Sequence, residues 1–151
     1  MLQASVRKLD PREEHHWIAA PRNGLQLFLR HLAPVPPARP TRPVLYVHGA
    51  TFPSALSIAH RFDGYSWRDA LCEAGFDVWG FDFLGYGYSD RYPEMSAPAA
   101  DNPPLCDAQN ASEQVEAVVR FILERCKASN LSLISHSWAS MPNWTPCSVR
   151  E

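Results

Sequence analysis

The chain lacks the features that mark several large protein classes. It has no C-x-x-C pair: Cys72, Cys106, Cys126 and Cys147 stand far apart. That argues against a disulfide framework or a zinc site and for reduced thiols. His15, His16, His31, His48 and His60 show no ligand spacing along the chain, so no metal is expected, and no other cofactor. No apolar run approaches the length of a membrane span, and the opening segment MLQASVRKLDPREEHHW has no apolar stretch of the secretory kind. Nor is there an excess of positive charge. Lys and Arg number 14 against 16 Asp and Glu, a net of −2, which leaves no basic footprint for nucleic acid or an anionic membrane. Internal repeats are also missing. These absences bound the expectation to a cytoplasmic protein that meets a small molecule, not nucleic acid or membrane. They leave its oligomeric state open.

What is present reads as about one domain, since 46% hydrophobic and 20% charged residues in 151 is ordinary globular composition. His15 to Ala20 and Leu25 to Leu32 are strand-like runs separated by Pro21-Arg22-Asn23-Gly24, and Asn-Gly between two such runs predicts a hairpin. Ala33 to Pro43 carries five of the 14 prolines and reads as an extended spacer. Its P-x-x-P spacings beside Arg39 and Arg42 offer weak potential for docking an SH3-like groove.

Val44 to Val47 is a continuous apolar run, the mark of a strand covered on both faces. Ser66 to Ala74 reads as a helix, with Ser66 and Asp69 spaced for a capping box and Gly75 as its stop. Phe76 to Phe81 predicts a second buried strand. Gln109 to Cys126 predicts a longer helix with Ala111, Val115, Val118, Val119, Ile122 and Cys126 on one stripe and Asn110 with Glu113 as its cap. The Asn110-Ala111-Ser112 sequon falls at that helix start. Leu131 to Ile134 is a third strand, and the alternation of strands and helices predicts a parallel sheet with right-handed crossovers. Pro93 to Pro104 reads as a surface loop.

In such a sheet, ligands bind beyond the carboxyl ends of the strands, and three unusual turns fall there. Ser135-His136-Ser137-Trp138-Ala139 follows the third strand. A serine lifted out of a sharp strand-to-helix turn needs small residues two before and two after it, because the backbones nearly touch. Ser135 and Ala139 meet that steric demand although neither is the usual glycine. His48-Gly49-Ala50-Thr51 ends the first parallel strand, where a glycine turn can aim N–H groups at a developing oxyanion. Asp82 to Asp90, with Gly85, Gly87 and Ser89, ends the second. Its third glycine position is Asp90, so it is no dinucleotide fingerprint and reads as a rigid loop that shapes the site.

VLYVHGA, GFDFLGYGYSD and LSLISHSWAS resemble, in order and spacing, the oxyanion turn, the D-x-x-G-x-G-x-S loop and the nucleophile elbow of α/β-hydrolase fold proteins. The resemblance covers about His15 to Met141 and implies an incomplete α/β-hydrolase fold. An antiparallel hairpin is followed by three parallel strands with intervening helices. It implies Ser137 as nucleophile, the Ala50 and Trp138 N–H groups as oxyanion donors, and His48, Gly49, Asp82, Gly85, Gly87 and Ser89 as residues shaping the site. The implied reaction is hydrolysis of an ester- or amide-like small molecule.

The family's order places an acid and then a His after the serine, yet residues 138–151 hold no Asp and no His. His136 points away from its neighbour's face. Loss of the base costs on the order of 10⁶ in kcat, so the chain by itself is expected to be a very poor enzyme. Pro142 and Pro146 interrupt the helix an elbow should open, so truncation or a frameshift after about Pro142 is expected. The domain limits read as a tail over 1–14, a partial hydrolase domain over 15–141 and an aberrant tail over 142–151. Leu131 to Ile134 then becomes an apolar edge, which predicts poor solubility. The competing reading is a non-catalytic fragment that acts at most through contacts such as the Pro34 to Pro43 spacer.

Overall fold

In the computed structural model, which describes residues 6–140, five strands form one mixed sheet in the order β1-β2-β4-β3-β5. β1 (Glu14–Ala19) and β2 (Gln26–Leu32) make the expected hairpin, with Gly24 at φ +80 in its turn. β2 pairs antiparallel with β4 (Asp77–Asp82). β4, β3 (Pro43–Val47) and β5 (Ser132–Ser135) run parallel. Every residue of β3 and β4 is buried, which is why both read as continuous runs without alternation.

The two helices cover opposite faces. α1 (Trp67–Glu73) brings Cys72 against Val44, Tyr46 and Val78 on one side. α2 (Ala108–Cys126) lays Ala111, Val115, Val118 and Ile122 against Leu27, Leu29, Leu45 and Trp79 on the other. The α1 start is the expected capping box: Ser66 Oγ accepts the Asp69 N–H at 3.1 Å, and the Asp69 carboxylate accepts the Ser66 N–H at 2.8 Å. Gly75 ends the helix at φ +83.

Two expectations are corrected. α2 is capped by Asp107, whose carboxylate accepts the Asn110 N–H at 2.8 Å, and not by the Asn110–Glu113 pair. Asp107 is an equally good acceptor placed earlier, so the helix gains its first residues before Asn110. Residues ahead of His15 are also no simple tail. Glu13 is fully buried, Glu14 already belongs to β1, and Asp10 accepts the Arg12 N–H at 2.8 Å and an Arg61 N–H at 2.7 Å. Charge pairing pins this segment where apolar patterning gave no sign of order. The second expected tail, 142–151, lies outside the described residues.

Residues 33–42 run without regular structure as a spacer should, and 93–104 holds only two short 3-10 turns, Pro93–Ser96 and Ala99–Asp101. Among the described residues β5 is an edge strand of the sheet, opposite β1, and Leu133 is 46% exposed on it. Among the described residues no helix is long and apolar enough to cross a membrane.

Candidate active site

The turn after β5 holds Ser137 at φ +55, in the left-handed region that a non-glycine residue seldom occupies. The His136 N–H donates to the Val47 carbonyl at 3.1 Å, continuing the β3–β5 ladder up to the turn. The Ala139 N–H then donates back to His136 O at 3.2 Å. The chain reverses within a single residue and enters a 3-10 turn, Ser137–Ser140. Ala139 is buried where a larger side chain would force the strand and the turn apart. Ser137 itself is exposed.

Gly49 presses against this turn from β3. A Cβ on Gly49 would lie 3.0 Å from Ser137 Cβ, 3.1 Å from His136 O and 3.2 Å from His136 Nδ1, so only glycine fits without displacing the serine. His48 fixes Gly49 in turn. Its Nε2 accepts the Phe83 N–H at 3.1 Å, which requires the proton on Nδ1, and Nδ1 lies 2.6 Å from the Gly49 carbonyl it donates to. Burial holds the His48 pKa below the ordinary imidazole value, against the Gly49 bond and the Asp82 charge, which both favour the cation. With both ring nitrogens engaged and no exposed surface, His48 acts as a positioning residue, not as a base.

Ala50 follows at the surface, and its carbonyl accepts the Tyr86 hydroxyl at 2.6 Å. Among the described residues no turn or loop hydrogen bond occupies the N–H of Ala50 or of Trp138. A cavity of about 190 Å³ opens here, lined by Gly49, Ala50, Phe83, Tyr86, Cys106 and Trp138. A larger hollow of about 970 Å³ lies between the 37–43 spacer and residues 126–132, away from the turns, so volume alone does not mark the site.

The third turn braces the other two. Asp82 is fully buried and accepts Ser54 N–H at 2.7 Å, Ser54 Oγ–H at 2.6 Å and Tyr88 N–H at 3.0 Å. Gly87 packs so tightly on this carboxylate that a Cβ would sit 2.0 Å from Asp82 Oδ2. Ser89 accepts the Phe28 N–H at 2.8 Å and donates its hydroxyl to the Asp82 carbonyl, joining the loop to β2. Gly85, at φ +88, faces Met95 and Tyr92 on the outer side, where it shapes the loop. The Phe83 and Trp138 rings meet edge to face at 5.8 Å, so loop and serine turn share one wall.

Several supports are invisible in the motifs. Ser54 also accepts from Arg30 Nε at 2.9 Å, and Arg30 donates to Glu13 at 2.6 Å, which takes Arg68 as well. A buried charged line thus runs from Glu13 to the Asp82 loop. An arginine in the apolar strand β2 was the available signal, since a charge among leucines demands a buried partner. Gln114 of α2 accepts the Leu84 N–H at 2.9 Å, a contact that the apolar stripe of the helix did not signal.

The alpha/beta hydrolase fold model matches residues 42–145, more than half of the chain. Solved structures agree in fold. An alpha-beta serine hydrolase homologue from Coxiella burnetii superposes with TM-score 0.61 at 17% identity, over 83% of this chain and 52% of its own. Est1E from Butyrivibrio proteoclasticus, solved with ferulic acid, gives 0.62 at 18%, over 82% and 43%. The haloalkane dehalogenase DatA from Agrobacterium tumefaciens C58 gives 0.51 at 16%, over 87% and 35%. No curated protein matches the sequence significantly. The chain spans about a third to a half of the length of these structures. Three hydrogen-bonded turns at the carboxyl ends of β3, β4 and β5, together with the family match, place the chain in the alpha/beta hydrolase fold family.

Proposed function

We propose that this chain carries the nucleophile half of a serine hydrolase acting on an ester- or amide-like small molecule. Ser137 attacks the carbonyl carbon, and the N–H groups of Ala50 and Trp138 hold the oxyanion that forms. Such donors are worth about 3 kcal/mol each in acyl transfer. The observation that carries this reading is Ser137 at φ +55 with Gly49 packed on it. Asp63 and Lys127 adopt similar angles in a turn and a helix cap, but at Ser137 the angle lifts a hydroxyl to the surface beside a small apolar cavity. The cavity walls, Phe83, Tyr86 and Trp138, suit a short acyl group.

The acid and the His that the family places after the serine do not occur in residues 138–151, and His48 has no free nitrogen to take their place. The 151 residues therefore hold the setting of the nucleophile without its base. A fluorophosphonate probe tests this. Slow labelling of Ser137, accelerated by added imidazole and abolished in Ser137→Ala, is the expected result. Folded protein that never labels, or labels equally in Ser137→Ala, supports the non-catalytic alternative instead.

A further inference from the structure

On the β1–β2 hairpin, three side chains converge that the strand register brings together. Glu14 and His16 alternate along β1 and so share a face, and His31 on β2 pairs directly across from Glu14. One ligand atom from each lies within 4.8 Å of the others. Glu14 Oε2 stands 3.6 Å from His16 Nε2 and 3.6 Å from His31 Nδ1. That is too long for a hydrogen bond, and both ring nitrogens are buried with no hydrogen-bond partner.

We propose that Glu14, His16 and His31 bind a divalent transition-metal cation of the zinc class. Donors bound at about 2.1 Å in a tetrahedron stand roughly 3.4 Å apart, close to the spacing seen and unlike a hydrogen-bond length. The orientation of His31 is set for this. Its Nε2 lies 2.7 Å from Asp77 Oδ1, and a carboxylate that accepts the Nε2–H there leaves the Nδ1 lone pair facing Glu14.

The His31 ring also stacks on Trp79 at 3.9 Å, and His16 packs on Trp79 and Phe121, so both imidazoles are held in place. Glu14 is half exposed and provides the entry path. Arg125 reaches the same Glu14 oxygen at 3.4 Å on a mostly exposed arm that can swing away. Two neutral imidazoles and one carboxylate leave a net single charge on the cation and a fourth position for water. By register His31 lies beside Trp79 of β4, three residues or roughly 10 Å of strand from Asp82. The cation therefore acts as a clip, tying edge strand β1 to β2 and, through Asp77, to β4.

The test titrates the full chain with Zn²⁺ and with Co²⁺. Expected are one ion retained per chain and Co²⁺ d–d absorption without a thiolate charge-transfer band. Affinity should fall at least tenfold in Glu14→Gln, His16→Gln and His31→Gln. His15→Gln, on the other face of β1, should bind like the parent. Glu14→Gln alters a half-exposed side chain, so it reports even if a histidine variant fails to fold. No ion retained, a thiolate band from the cysteines, or unchanged affinity in Glu14→Gln overturns the proposal.

Discussion

At the carboxyl end of β4 the chain turns within ångströms of its neighbours, whereas at the amino end straight strands set side chains opposite one another. The first end is built from backbone. Gly49 meets Ser137, Gly87 meets the Asp82 carboxylate, and His48 serves a carbonyl and an amide. The second is built from side chains: Asp77 accepts from His31 and Trp79, and Glu14, His16 and His31 face one another across a hairpin. Crowded turns fail when atoms are added, and registered clusters fail when atoms are taken away.

The largest effect should come from adding one methyl group at the crowded end. Gly87→Ala sets a Cβ 2.0 Å from Oδ2 of the Asp82 carboxylate, a group that three hydrogen bonds hold in place, at a backbone φ of +49. Relief requires the loop to leave Ser54 or Tyr88. A loss of about 4 kcal/mol is expected from urea unfolding in dilute solution, combining left-handed strain with broken buried bonds. A loss under about 1 kcal/mol would show that the loop is pliant and that Asp82 does not brace the site.

At the other end the matching change removes atoms. Asp77→Ala strips the acceptor from the Trp79 indole N–H, 2.8 Å away and fully buried, and from His31. An orphaned buried donor costs about 1–3 kcal/mol, so a loss of about 2 kcal/mol is expected in the same measurement. If Asp77→Ala proved costlier than Gly87→Ala, the contrast between the two ends would reverse.

The same contrast explains what could be read from the sequence. The three turns are contiguous strings, HGA, DFLGYGYSD and SHSWA, whose glycines and small residues have steric reasons visible one after another. The hairpin, both parallel crossovers and the α1 capping box were legible for that reason too. Glu13 with Arg30 and Arg68, and Glu14 with His16 and His31, depend on which residues face each other across strands or between segments. Counting spacings along the chain misses them. Knowing the Asn23-Gly24 hairpin, its register alone would have set Glu14 opposite His31. The α2 cap escaped because Asp107, Asn110 and Glu113 are all competent caps, and sequence does not say which one the preceding loop delivers.

The smallest effect is one of pH, and at the turn end it comes from His48, although burial lowers His16 on β1 in the same direction. His48 is held neutral by burial, so its folded pKa lies below the 6.5 it has when unfolded. The unfolded chain therefore takes up a proton first as pH falls through about 6.5, and stability declines there; above that value His48 contributes no slope. The decline stops once the folded form is protonated as well. Asp69 provides an internal reference at lower pH, its pKa shifted in the same downward direction. Its bond to Arg61 lowers its pKa to about 2, so the stability it adds is complete above the ordinary carboxylate value of 3.8 and is lost as pH falls from there towards 2. His48→Gln should make the upper limb of an unfolding-midpoint profile shallower, leaving the share of His16, and leave the lower limb in place. If the upper limb is as steep in His48→Gln as in the parent, its source is His16 alone, and the Gly49 turn is not held by a neutral imidazole in the way its two hydrogen bonds require.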